Sequence, residues 1–376
     1  MDGELTARPP VLVCGGGIAG LAAAVALHRR GIATTVFERR RERSDDGLGL
    51  NLPGNAVAAL VQLGLGDRLQ TLGIPTRCRE YRSARDRLLF DVDEVAFWGA
   101  SRQPRCVLRG ELVAALLARL PPGTVRAGVG VRAMRRTGTA VELTLDTGER
   151  VCGDAVIGAD GVRSTIRAQV AGRRLPRASL ISGTSWRFVT DDLGVRCWTA
   201  WTGRAGTALL IPVAEGRCYG WLAPRDHRSP ELFSQATPVF EQFPALVRQT
   251  LARAAHETRP PYLAPLEEIR PAAWTPGRVI LIGDAAHATA PVWAQGAALA
   301  IEDALVVADV LGDHDWSRAG ETVARRRRNR VAHVQRMTDR MSRTARLPSW
   351  LLDLAAPRVG PRNYRQTYAP LRTAEL

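Results

Sequence analysis

Gly15, Gly17 and Gly20 in "VLVCGGGIAGL" fit the spacing G-x-G-x-x-G, and Glu38 follows about 20 residues on. That spacing serves a pyrophosphate. The first glycine permits a tight turn, the second admits phosphate oxygens to the backbone, and the third lets a helix pack close to its strand. A carboxylate at Glu38 can accept hydrogen bonds from an adenosine ribose, with Ala19 and Arg39 beside the two contact points. Such residues work only if a strand–turn–helix–strand unit holds them. Val11 to Cys14 is a continuous apolar run, as in a strand buried on both faces. Leu21 to Leu27 is good helix material with Gly31 as its stop, and Thr34 to Phe37 reads as a second strand. The helix N-terminus then offers free N–H groups and a partial positive charge to the anion. This motif alone does not separate NAD from FAD.

Two later stretches narrow the choice. "DAVIGADGVRSTIR" places Asp160-Gly161 after a buried strand, followed by Arg163 and Arg167. "RVILIGDAAHATAPVWAQGAALAIEDA" places Gly283-Asp284 at another strand end, then Pro291, Gln295-Gly296 and Glu302-Asp303. Together with the opening glycines, these resemble the FAD-dependent aromatic hydroxylases, the single-component flavoprotein monooxygenases related to para-hydroxybenzoate hydroxylase. The resemblance covers most of the chain. It implies that Asp284 accepts a hydrogen bond from a ribityl hydroxyl of FAD. It also implies that Gly296 and Ala297 open a helix whose N–H groups face flavin N1 and O2, where a partial positive charge stabilises reduced flavin. Arg109 matches the arginine that reaches the FAD chain, and Asp160 the aspartate associated with both FAD and NAD(P)H. Gly47, Gly49 and Leu50 match the loop beside the isoalloxazine, with Asn55-Ala56 at its end. His287 reads as structural. Where the family usually has Gly-Gln-Gly this chain has Ala294-Gln295-Gly296, and Ala298 replaces a common asparagine.

The resemblance further implies reduction of FAD by NADH or NADPH and capture of O₂ as a flavin C4a-hydroperoxide. One oxygen atom then passes, by hydroxylation or epoxidation, to an electron-rich aromatic, indolic or polyketide-like small molecule. No side chain need be a nucleophile, and no base stands out. Pocket candidates come from alternating strands and the Pro291 loop: Arg187, Trp201, Leu210, Tyr219, Pro291 and Trp293. Arg187 either pairs with a substrate carboxylate or enolate, or caps a strand; the rings either line the pocket or pack in the core.

The expected fold is α/β, a Rossmann-like FAD-binding domain interrupted by a β-rich substrate domain, with a helical C-terminal tail. The boundaries fall at 8–71, 106–175 and 274–315 for the FAD-binding domain, 72–105 and 176–273 for the β-rich one, and 316–376 for the tail. At 376 residues, with 45% hydrophobic and 24% charged residues, the chain has the composition of a globular enzyme. No apolar run reaches the roughly 20 residues that span a bilayer. "MDGELTARPP" does not read as a secretory signal, so no membrane partner is expected and the cytoplasm is the expected location. The six cysteines are scattered without C-x-x-C and read as reduced thiols, with no metal site. The net charge of +15 comes entirely from arginine, because the chain has no lysine. The dense run "ARRRRNR" at 324–330 reads as a solvated helix face, its apolar side supplied by Val323, Val331, Val334 and Met341. Nucleic acid is not an expected partner. A flavin-dependent halogenase is disfavoured by the missing lysine, a nonredox FAD-binding protein stays open, and oligomeric state does not follow.

Overall fold

The computed structural model describes residues 10–42, 48–170, 177–179, 182–225, 233–236, 238–270, 277–313, 315–344 and 347–373. Gly47 lies outside them. The helices in chain order are α1 (Ile18–His28), α2 (Gly54–Gln62), α3 (Glu94–Trp98), α4 (Arg109–Leu117), α5 (Thr165–Val170) and α6 (Phe233–Ala236). They continue with α7 (Ala245–Ala254), α8 (Asp284–His287), α9 (Gln295–Gly312), α10 (Ala319–Thr344) and α11 (Ser349–Tyr368).

A five-stranded sheet carries the nucleotide motif, in the order Val279–Leu281, Ala155–Gly158, Val11–Cys14, Thr34–Glu38, Val125–Ala127. Every pairing in it is parallel. The strands Val11–Cys14, Ala155–Gly158 and Val279–Leu281 are apolar throughout because both faces are covered, while Thr34–Glu38 and Val125–Ala127 also carry polar residues. Val11, Val13, Val36, Ile157 and Ile280 point to the face packed by α1, α2, α4 and α9. Leu12, Cys14, Phe37, Val156 and Leu281 point to the other face, where Val141, Leu143 and Leu145 of a three-stranded antiparallel sheet meet them. Each aliphatic side chain fully buried here contributes about 1.5–3 kcal/mol.

The second large sheet has seven strands, in the order Tyr262–Pro265, Thr184–Asp191, Arg217–Pro224, Gly206–Ala214, Trp198–Thr202, Cys78–Ser83, Leu88–Asp93. All its pairings are antiparallel except that of Trp198–Thr202 with Cys78–Ser83. Its two faces are unlike. One, with Trp186, Phe188, Trp201, Leu210 and Leu222, packs under Phe240, Phe243 and the Val247–Leu251 side of α7. The other, with Trp198, Ile211, Tyr219 and Trp221, meets Cys106 and Leu108 at the edge of the nucleotide region.

The C-terminal segment is more than a tail. α10 packs on α9, and α11 lies along Leu88–Asp93. Pro357 and Pro361 fall inside α11 without ending it. Each proline removes a backbone hydrogen bond at a cost of about 3 kcal/mol. Burial of Tyr364, Tyr368 and Gly360, the last seated on the Phe90 ring, holds the helix regardless. Beneath it sits a buried ion pair of Arg79 with Glu94. Glu94 also accepts from the Tyr364 hydroxyl at 2.7 Å, and the Arg79 guanidinium lies over the Trp198 ring, 4.8 Å from its centroid.

One expectation fails in the seven-stranded sheet. Cys78 and Cys197 form a disulfide, while Cys14, Cys106, Cys152 and Cys218 are free. The physical reason is register: Trp198 pairs with Arg79, so the two preceding cysteines are brought side by side, with Cα atoms 5.3 Å apart. A crosslink closing a loop of about 100 residues stabilises by roughly 4–5 kcal/mol in the chain-entropy account. Alkylation of the unfolded protein without reductant should therefore label four cysteines and leave two, and Cys78→Ser should lower stability by about 2–5 kcal/mol. Six labelled cysteines would contradict the bond.

Candidate functional site

The glycine turn is built as its spacing requires. Gly15 has φ +109°, and a Cβ there would come within 2.4 Å of the Ala159 carbonyl oxygen. A Cβ on Gly20 would come within 1.9 Å of the Gly15 carbonyl oxygen, so the close crossing of strand and helix admits only hydrogen. Gly17 is the N-cap of α1, and a Cβ on it would meet nothing within 4 Å. The first turn of α1 has no capping side chain and no acidic residue. The helix start is thus open at Gly17 and carries a partial positive charge, which fits a pyrophosphate. Glu38 stands at the lip of this turn, accepting from the Gly16 N–H at 2.7 Å and the Arg40 N–H at 2.9 Å. Arg39 is exposed, and its stem lies over Gly130. Asp160 adjoins Gly15, but its oxygens are engaged in capping α5. One accepts from the Ser164 hydroxyl and the other from the Thr165 and Ile166 N–H groups, the latter at 2.7 and 3.2 Å. Arg163 pairs with Glu267 at the surface, and Arg167 is buried, donating to the Ala285 carbonyl.

A second turn faces the first. Gly283, with φ +56°, sits against Ala19 of α1, and Asp284 follows as the first residue of α8. Asp284 opens to solvent yet is closely walled by protein. Burial pushes its carboxyl up, while the charges of His287, Arg187 and Arg109 pull the other way. A Cβ on Gly296 would lie 4.0 Å from Asp284 Oδ1, so the start of α9 lies beside this carboxylate. Gly296 and Ala297 are half-buried, and no acidic or capping side chain occupies the first turn of α9. Gly49 and Leu50 run antiparallel to Val107 and Leu108, and Arg109, at the start of α4, donates its N–H to the Leu48 carbonyl at 2.8 Å. The N-cap of α9 is Ala294, in the left-handed region at φ 52°, ψ 32°. Glycine, the usual family residue, would sit there without strain.

Behind these turns lies a buried polar network that the sequence reading did not anticipate. Asp303 Oδ2 accepts from the Gly283 N–H at 2.9 Å and lies 2.7 Å from His287 Nε2, while Oδ1 accepts from Arg327 Nε at 2.7 Å. Glu302 accepts from Arg327 Nη2 at 2.8 Å, from Arg330 Nε and Nη2 at 2.7 Å each, and from Asn55 Nδ2 at 2.8 Å. Asn55 and Gln295 exchange hydrogen bonds of 3.0 and 3.2 Å. The run 324–330 is therefore not simply a solvated face. Arg325, Arg326 and Arg328 are exposed, but Arg327 is 0% exposed and Arg330 half-buried. Two adjacent carboxylates inside an apolar helix are the signal that demanded such a partner. Burial raises both carboxyls. The Arg327 and Arg330 charges hold Glu302 below the usual range nonetheless, and His287, Arg327 and the Gly283 N–H hold Asp303 well below it.

The pocket candidates separate. Trp201 and Leu210 point to the α7 face of the seven-stranded sheet, and Trp201 Nε1 donates to Asp86 at 2.8 Å. They are core residues rather than pocket residues, because strand pairing puts them on the side away from the nucleotide region. Trp293 is also packed, 6% exposed among Trp98, Leu299, Tyr364 and Tyr368, with its carbonyl accepting from the Tyr368 hydroxyl at 2.7 Å. Pro291 is exposed at the head of that short turn. Arg187 and Tyr219 do face the nucleotide side. Tyr219 lies against Gly49, where a Cβ would fall 2.4 Å from its ring. Burial raises the Tyr219 hydroxyl and the Arg187 charge opposes that. Arg187 donates through Nε to Ser185 Oγ at 3.3 Å.

A family profile described as an FAD binding domain matches residues 8–341. The chain is 32% identical over 328 residues to 3-amino-4-hydroxybenzoate 2-monooxygenase PtnB3 of Streptomyces platensis, covering 82% of this chain and 81% of that protein. It is 31% identical over 355 residues to 2-heptyl-3-hydroxy-4(1H)-quinolone synthase of Pseudomonas aeruginosa, covering 90% of each. The crystal structure of Klebsiella pneumoniae HpxO complexed with FAD and uric acid superposes with a TM-score of 0.81 at 25% identity, over 99% of this chain and 95% of that one.

Two outcomes are expected of this site. Ala294→Gly relieves a left-handed alanine but loosens the unfolded chain, so it should raise the unfolding free energy by up to about 1 kcal/mol, read as a higher denaturant midpoint with an unchanged m-value. The depressed carboxyls of Glu302 and Asp303 contribute stability that is present above their unfolded values near pH 4 and is lost as pH falls toward the folded ones. Denaturant titrations from pH 6 down to 2 should show that loss, and Asp303→Asn, though less stable at neutral pH, should lose less over the same range.

Proposed function

The chain belongs to the FAD-binding-domain family of flavin-dependent aromatic monooxygenases, and from that premise we propose that its substrate is an electron-rich aromatic carrying an anionic or strongly accepting oxygen, gripped by Arg187. The supporting observation is the place of that guanidinium. It projects from the face of the seven-stranded sheet that meets the nucleotide region, near enough to Asp284 and Tyr219 for its charge to act on both. The relatives' names fit this chemistry: a hydroxybenzoate, uric acid and a quinolone all present ring-bound oxygen acceptors, and the first two are anions at neutral pH.

In this reading the first turn of α1 holds the pyrophosphate and Glu38 the adenosine ribose. Asp284 holds a ribityl hydroxyl, with Arg109 beside the FAD chain. The Gly296 and Ala297 N–H groups face the pyrimidine edge of the ring, and Gly49 and Leu50 lie along it. When bound, FAD supplies the redox chemistry, taking hydride from NADH or NADPH and activating O₂. The protein supplies orientation and dryness. The positive end of α9 favours negative charge on the adjoining ring edge, Arg187 fixes the substrate's oxygen, and Tyr219 and Trp221 present apolar surface that excludes water. Because the reductant is a cytoplasmic metabolite, the reading places the enzyme in the cytoplasm.

The purified protein should be yellow and should oxidise NAD(P)H faster with the right aromatic present. Asp284→Ala should release FAD on gel filtration. With 3-amino-4-hydroxybenzoate and urate as probes, Arg187→Gln should raise the Kd read from flavin difference spectra of whichever binds by about 10–100-fold, the loss of one charge-assisted hydrogen bond, while FAD content stays unchanged. Equal binding by Arg187→Gln would remove the guanidinium from the reading.

A further inference from the structure

We infer that Arg327, acting through Glu302, Asp303 and Asn55, is a positioning residue for bound flavin. Two backbone segments that fit the cofactor meet at this side chain. Through Asp303 it holds the N–H of Gly283, hence the positive-φ turn that aims Asp284. Through Glu302 and Asn55 it reaches Gln295, the first residue of α9, and ties it to α2, which follows the Gly49–Leu52 strand. Every link is buried: Arg327 is 0% exposed, Glu302, Asp303 and Gln295 1% each, His287 2% and Asn55 4%.

Stability does not account for this arrangement. Desolvating an arginine and two carboxylates largely cancels their attraction, and a well-packed apolar set of the same volume would hold the helices together as firmly. What the charged set adds is direction. A carboxylate oxygen accepts the Gly283 N–H along one line, and an Asn–Gln pair fixes the rotation of the first turn of α9 about its axis. Both groups are aimed by a cation that comes from α10, outside the strand–turn–helix unit.

The test compares Arg327→Gln, Arg327→Lys and Asn55→Ala with Val331→Ala, a buried apolar truncation on the same helix. Apo-protein of each is titrated with FAD by flavin fluorescence. The loaded forms are measured for visible spectrum and flavin midpoint potential, and all for Tm. Arg327→Gln and Asn55→Ala should raise the FAD Kd by about 10–100-fold, the usual effect of removing an outer partner of a ligand-holding group, and should shift both spectrum and potential. Arg327→Lys, with the charge but not the fork, should recover part of the affinity. Val331→Ala should lower Tm with wild-type Kd and potential. Wild-type Kd, spectrum and potential in Asn55→Ala and Arg327→Lys would overturn the inference, as would an equal rise in Kd in Val331→Ala at matched loss of Tm. If Arg327→Gln fails to fold, Asn55→Ala and Arg327→Lys decide the matter.

Discussion

Two carboxylates side by side in the middle of an apolar helix impose the strictest condition in this molecule. Glu302 and Asp303 sit in α9 among Leu299, Ile301, Ala304, Val306 and Val307, all buried. Neither charge can stay there unpaired, because removing one partner of a buried pair costs on the order of 3–5 kcal/mol. The condition recruits α10 to bring Arg327, α2 to bring Asn55, and the turn at Gly283 to bring a backbone N–H. Three separate segments are thereby fixed against one helix, and that helix is the one packed along α1 behind the glycine turn.

The seven-stranded sheet answers a different demand. It must cover a site on one side and a core on the other, so it carries large apolar residues on both. Val189, Tyr219 and Ile211 share a register on the nucleotide side, while Phe188, Gly220 and Leu210 share one on the α7 side. Arg187 interrupts the first set, beside Trp221. Its guanidinium, donating to Ser185 and set among the rings of Tyr219 and Trp221, gives that side its chemical character.

Much of the nucleotide half was legible because its signals are local. Strands buried on both faces read as unbroken apolar runs, and the glycines at 15, 17 and 20 form one motif within six residues of sequence. What stayed illegible depends on distant partners. Alternation along Trp198–Thr202 says that Ala200 and Trp201 face opposite ways, but only α7 decides which way is inward. The Cys78–Cys197 bond joins residues 119 apart with no spacing rule to announce it. Arg327 is the instructive case. It lies four residues after Val323 and four before Val331, on the apolar stripe itself, and was absorbed into its charged neighbours.

Chain order gives the Tyr368–Trp293 hydrogen bond a temporal meaning. The ribosome delivers residues from the N-terminus onward, so the start of α9 and the Trp293 turn before it emerge ahead of the helix that fastens that turn. A nascent chain that has displayed Trp293 still lacks the hydroxyl that accepts from Arg79 and donates to the Trp293 carbonyl. The Trp293 turn is therefore fastened from the far end of the chain, by a helix that docks against the seven-stranded sheet.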